Sequence, residues 1–223
     1  MPPQGTEHDA RRSGGGDHHA GHHQGQTGSH AHGPDFEGWT REMAVAVLES
    51  PERRRSLDPE AVWKEVGLRP GSTVVEIGAG TGYFAIPAAR KVGSNGRVYA
   101  VDISKDLVGY LKERGAQEHL PQFQAVHSSA DRVPLDDGIA DFVLLANVLH
   151  DVPDETVREA LRLLSPTGSL VNLDWKKEET PNGPPLGIRL SPDEAARRLG
   201  ALGLKVERLW TPGPHHYGMI LRR

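Results

Sequence analysis

The feature that most constrains this chain is an alternation. From Thr73 onward, short runs of β-branched and apolar residues alternate with amphipathic segments of helical length. Strands are expected at 73–77, 97–101, 122–127, 140–146 and 168–174, and helices at 82–92, 104–114, 154–164 and 192–202. Strands joined through such crossovers run parallel, and a parallel sheet buries both its faces only when helices cover both. The last two runs, 204–210 and 215–221, are joined by a short loop through Pro212-Gly213-Pro214 and must pair antiparallel. The expected fold is an open, mostly parallel α/β sheet with one reversed strand near its end. No internal repeat of fixed period interrupts this pattern.

Two segments precede it. Residues 1–34 hold seven of the twelve histidines and eight glycines without apolar periodicity, and are expected to form a disordered tail. His18, His19, His22 and His23 are spaced closely enough for a flexible chain to wrap a metal ion weakly. Residues 35–67 carry Phe36, Trp39, Met43 and Val47 at helical spacing, then SLDPEAVWKEVGL with Asp58 as N-cap and Pro59 at the first helical position. Two short leading helices are expected there, as a cap on a domain spanning 35–223.

Composition removes several functions. With no cysteine the chain has no thiolate zinc site, iron–sulfur cluster or cysteine nucleophile. A net charge of −4 gives no general field for polyphosphate, so nucleic acid is not an expected partner. No run approaches the roughly 18 apolar residues of a membrane span, and a cytoplasmic protein without membrane attachment is expected.

In an open α/β sheet the ligand crevice lies at the carboxyl ends of the strands, where strand order reverses. The first such loop reads VVEIGAGTGYF, residues 74–84. Gly78, Gly80 and Gly82, with Ala79 between them, allow the backbone to approach a ligand closely. The dinucleotide fingerprint G-x-G-x-x-G requires a third glycine where Tyr83 stands, and the pattern here is E-x-G-x-G-x-G. Glu76 places a carboxylate beside the loop, which repels a pyrophosphate and suits a cationic ligand. The second strand ends at Asp102, twenty residues after Gly82, where a carboxylate accepts both hydroxyls of a ribose.

At these residues the chain resembles the class I S-adenosylmethionine-dependent methyltransferases, of the small-molecule type that includes the ubiquinone and menaquinone C-methyltransferases. The resemblance spans roughly residues 55–221 and implies a seven-stranded Rossmann-like sheet of order 3-2-1-4-5-7-6 with strand 7 antiparallel. It further implies that Glu76 and the glycine loop meet the methionyl part of the cofactor S-adenosyl-L-methionine, Asp102 the ribose, and Ile103 the adenine ring. Where the family carries an acidic residue for the adenine amino group, SSADRVP has Ser129. Ser129, Ala130 and Asp131 together are the candidates there.

The fourth strand leads into ANVLHDVPD. Asn147 is placed above the cofactor, and His150 is the candidate general base, since imidazole exchanges protons near neutral pH, with Asp151 positioned to orient it. The fifth strand leads into DWKKEETPNGPP, residues 174–185, a loop long enough to serve as a lid. His215, His216 and Tyr217 in the last strand read as structural residues.

The expected activity is in-line methyl transfer to a small-molecule acceptor. Two other readings stay open: a nicotinamide-dependent oxidoreductase, and a non-catalytic metal-handling protein whose histidine tail is its working part.

Overall fold

The computed structural model describes residues 40–129 and 132–223. The histidine tail, Phe36, Trp39, Ala130 and Asp131 lie outside the described residues, and with them the metal candidates His18, His19, His22 and His23.

Seven strands form one sheet of order β3-β2-β1-β4-β5-β7-β6. They are β1 (Thr73–Ile77), β2 (Arg97–Asp102), β3 (Phe123–His127), β4 (Ala140–Ala146), β5 (Leu164–Trp175), β6 (Lys205–Gly213) and β7 (His216–Arg222). All neighbouring pairs are parallel except those of β7, which runs antiparallel to both β5 and β6. The expected reversed strand is therefore in place. The order turns outward in both directions from β1 and β4, so the crevice opens above their carboxyl ends.

The central strands read as near-continuous apolar runs because both sheet faces are covered. On one face Val74, Ala100, Leu144, Val171 and Leu173 pack with Trp63, Phe84 and Leu111. That face is covered by α3 (Pro59–Val66), α4 (Ala85–Val92) and α5 (Lys105–Gln117). On the other, Val75, Val143, Leu145 and Leu170 pack with side chains of α6 (Asp154–Leu163) and α7 (Pro192–Ala201).

The leading segment departs from expectation. The described residues contain three helices there: α1 (Arg41–Leu48), α2 (Pro51–Ser56) and α3. Ser50 caps α2 and Asp58 caps α3, each followed by proline at the first helical position. The middle helix, PERRRS, buries none of its residues, so it has no apolar period by which a sequence would betray it. Helix α4 starts at Ala85 rather than at residue 82, because Thr81–Phe84 form turns that carry the glycine loop into the helix.

Candidate active site

Three glycines shape the floor of the crevice. Gly78, Gly80 and Gly82 have φ of +73°, +56° and +81°, a region costly for side-chain-bearing residues. Added Cβ atoms would meet Val148 at 2.6 Å, Leu48 at 2.9 Å and Leu111 at 2.8 Å respectively. The loop is tied to the second strand: Gly78 and Ala79 N–H donate to the Val101 carbonyl, and Gly80 N–H donates to Asp102 Oδ2 at 2.8 Å. The other Asp102 oxygen accepts Ser104 N–H at 2.9 Å. Burial pushes the Asp102 carboxyl up from its ordinary range, and the N–H groups of Ser104, Gly80 and Ile103 oppose that shift. An ionised carboxylate has about four acceptor sites, so ribose hydroxyls can join the two backbone donors. Ile103 is 50% exposed beside it, an apolar face with no protein covering half of it.

Glu76 is held very differently. It is 2% exposed and its Oε2 has no hydrogen-bond partner. Burial pushes its carboxyl up to about 8, against the pull of the nearby Arg53 guanidinium and the Ala85 N–H. A buried unpartnered carboxylate oxygen costs on the order of 1–3 kcal/mol, which a cationic ligand would recover. Asn147, with φ +59°, also has a buried unpartnered Oδ1 at the end of β4.

Arg53 was not found from the sequence, since RRR on a polar helix reads as a solvated face. Its Cζ lies 4.4 Å from the Tyr83 ring centroid, its Nη1 donates to the Leu48 carbonyl, and its charge acts on Glu76. Among the described residues no carboxylate forms an ion pair with it. Tyr83, where a dinucleotide loop has glycine, instead donates its hydroxyl to the Leu57 carbonyl at 2.6 Å and fixes α2 over the loop. Glu49, just after α1, adds a second tie, accepting from Thr81 Oγ1 at 2.8 Å and from Arg114 at 2.5 Å.

At the end of β4, His150 Nδ1 lies 2.7 Å from Asp174 Oδ1, with its side chain 6% exposed. The His150 backbone N–H donates to the same carboxylate at 3.2 Å. The partner is thus Asp174 of β5 and not the neighbouring Asp151, whose N–H returns to the Val148 carbonyl. A sequence neighbour in a tight 3-10 turn points elsewhere, whereas the adjacent parallel strand delivers a carboxylate to the same height. With Asp174 accepting from Nδ1–H, Nε2 is left as the basic nitrogen. Ser129 is exposed and donates to the Arg132 carbonyl at 3.3 Å, beyond the β3 end.

The structure therefore brings Glu76, the glycine loop, Asp102, Ile103, Asn147 and His150 to the carboxyl ends of adjacent strands. Among the described residues no group of three or more His, Asp or Glu side chains could hold a metal ion. No described helix is long and apolar enough to cross a membrane.

Comparison with known proteins bears on the fold and the family. A family profile described as a methyltransferase domain matches residues 75–172. A 2-phytyl-1,4-naphtoquinone methyltransferase from Trichormus variabilis is 32% identical over 130 residues, covering 55% of this chain and 57% of that protein. A demethylmenaquinone methyltransferase from Staphylococcus saprophyticus is 32% identical over 122 residues, covering 54% and 52%. The chain thus spans about half the length of these curated relatives. The crystal structure of a SAM-dependent methyltransferase from Aquifex aeolicus superimposes with a TM-score of 0.77 at 31% identity, covering 82% of this chain and 98% of that one. With a loop, a sheet order and a likeness over 82% of the chain that coincide, the protein belongs to the S-adenosylmethionine-dependent methyltransferase family.

Proposed function

We propose that this protein transfers a methyl group from S-adenosylmethionine to a small-molecule acceptor by in-line displacement. The observation that carries the reading is the buried Glu76 carboxyl group, which a cationic ligand would ionise, unpartnered at Oε2 beside a glycine loop tied to Asp102. An acid in that place favours an ammonium group and opposes a pyrophosphate, which sets the methyl-donor reading above the nicotinamide one.

The residues divide the cofactor between them. Glu76 Oε2 receives the ammonium, and the Arg53 guanidinium, close enough to act on Glu76, receives the methionyl carboxylate. Asp102 takes the ribose hydroxyls and Ile103 lies against the adenine. Ser129 offers its hydroxyl to the adenine edge, with Ala130 and Asp131 next to it in the chain. Asn147 Oδ1 faces the donor end. Bound there, S-adenosylmethionine supplies an already activated methyl group, so no covalent enzyme intermediate is needed.

The chain's task is alignment, exclusion of water and removal of one proton. Alignment alone is worth about 7–11 kcal/mol in favourable cases. The α1–α2 cap, seated on the loop through Leu48, Glu49 and Tyr83, closes one side of the crevice. His150 Nε2 takes the proton of the acceptor's nucleophile, and Asp174 holds the ring in the right tautomer and stabilises the imidazolium that forms. The relatives named for naphthoquinone and demethylmenaquinone methylation support a small-molecule acceptor related to quinones.

Incubation with methyl-tritiated cofactor and a panel of quinols, phenols and small hydroxy acids tests the proposal. Labelled product whose formation requires His150 is expected. A folded chain that labels nothing yet binds NADH would overturn it.

A further inference from the structure

His216 opens β7 and is 1% exposed, and both of its ring nitrogens lack a hydrogen-bond partner. A structural histidine in a strand normally finds at least one partner, because an unpaired buried donor or acceptor costs on the order of 1–3 kcal/mol. Its position is defined on three sides. The ring stacks on Trp175, its register partner in β5, with centroids 4.2 Å apart. The next position on its face is Gly218, where an added Cβ would meet Trp210 at 2.5 Å. Helix α2 reaches the same corner, since the Ser56 carbonyl lies where a Cβ on Gly213 would be, 1.8 Å away.

The surroundings are positive. Burial most of all, then Arg53, His215, Arg189 and Lys176, pushes His216 down to about 3, so the ring is neutral with one N–H to give. Arg189 stacks over the other aromatic of the pair, 5.3 Å from the Trp175 ring, and donates to the carbonyls of Pro184 and Glu178, holding the 176–185 loop against it. Lys176 donates to the Pro214 carbonyl at 2.7 Å and lies 3.9 Å from Glu178.

This corner also adjoins the proton acceptor. Asp174, the partner of His150, immediately precedes Trp175, the partner of His216, and consecutive strand residues point to opposite faces. His150 and His216 therefore flank the carboxyl end of β5, one toward each face. Both stand at the carboxyl end of β5, the strand beside β4.

We infer that His216 is an acceptor-binding residue, donating its ring N–H to an oxyanion, a carboxylate or phenolate, carried by the methyl acceptor while the nucleophile faces His150. The inference rests on the methyl-transfer reading and narrows its substrate class to acids. The positive charges of Arg53, Arg189 and Lys176 supply the field that selects an anion over a neutral isostere, and Trp175 fixes the imidazole plane.

The test uses the full chain with ¹⁵N-labelled histidine and saturating S-adenosylhomocysteine, titrated with benzoate, 4-nitrophenolate and neutral benzamide. One anion should bind at least tenfold tighter than benzamide and shift the His216 ring resonances, and the two anion arms tell carboxylate from phenolate. His216→Phe should lose about tenfold in anion affinity and His216→Asn, which keeps an N–H, should regain part of it. Affinity for S-adenosylhomocysteine should stay unchanged in both. Equal binding of benzamide, unmoved His216 resonances, or anion affinity unaltered in His216→Phe would overturn the inference. So would expulsion of benzoate by S-adenosylhomocysteine but not by 5′-methylthioadenosine, which would give the subsite to the cofactor's own carboxylate. Failure of wild type to bind S-adenosylhomocysteine would instead sink the methyl-transfer reading itself.

Discussion

The carboxyl ends of β1 and β2, and the carboxyl end of β5 with the start of β7, are the two halves of the proposed site, one for cofactor and one for acceptor, and are built on opposite plans. In the first half the backbone does the work: the positive-φ Gly80 brings its amide N–H onto one Asp102 oxygen and Ser104 N–H meets the other, so both carboxylate oxygens are engaged before any ligand arrives. In the second, side chains from separate elements meet in two pairs at one strand end: His150 after β4 with Asp174 of β5, and Trp175 of β5 with His216 of β7. The first plan suits a ligand that is always the same. The second can vary its acceptor by changing a few side chains while the sheet stays as it is.

The contrast is broken most severely at His150, the proposed proton acceptor. His150→Ala is expected to lower kcat by about 10²–10⁴ while leaving S-adenosylhomocysteine affinity within twofold, as steady-state kinetics and calorimetry together would show. A loss of cofactor binding instead would merge the two halves.

A smaller effect sharpens the role of α2. Arg53→Met should weaken S-adenosylhomocysteine about 10-fold or more, in line with one charge-assisted bond, but leave 5′-methylthioadenosine, which lacks the amino-acid end, unaffected. Equal weakening of both ligands would mean that Arg53 only holds the fold.

The two halves also respond to pH with opposite sign. Glu76 is raised from 4.5 to about 8, so the native state holds the extra proton and its stability contribution is lost as pH rises between those values. His216 is lowered from 6.5 to about 3, so its contribution is present above 6.5 and lost as pH falls through that window. From pH 4.5 to 6.5 the slopes oppose each other. Between 6.5 and 8 thermal stability without cofactor should decline, and Glu76→Gln should flatten that decline in calorimetric scans. A slope unchanged by the substitution would mean that Glu76 is ionised throughout.

The smallest effect belongs to the adenine edge. Ser129→Ala should weaken cofactor binding by no more than about fivefold, since a neutral hydroxyl bond contributes about 1 kcal/mol.

What could be read in the sequence follows the same division. Strand and helix alternation, the reversed β7 and the Asp58–Pro59 helix start all depend on local chemistry, and each stands where the residues place it. The placing of the glycine loop beside Asp102 was legible because E-x-G-x-G-x-G and Asp102 carry their spacing within one β-α-β unit. The partner of His150 was not, because Asp174 lies 24 residues away and meets it only through the pairing of β4 with β5. Arg53 hid on a helix with no apolar period, and His216 looked like any strand histidine until its ring nitrogens proved to be unpartnered.

The most direct test of the central claim is calorimetric titration of wild type and Asp102→Ala with S-adenosylhomocysteine, with NADH as the comparison ligand. Micromolar binding by wild type is predicted, weakened about 100-fold in the variant as the ribose loses hydrogen bonds to a charged acceptor, with no heat from NADH. A folded wild type that ignores S-adenosylhomocysteine, or that binds NADH more tightly, would contradict the account.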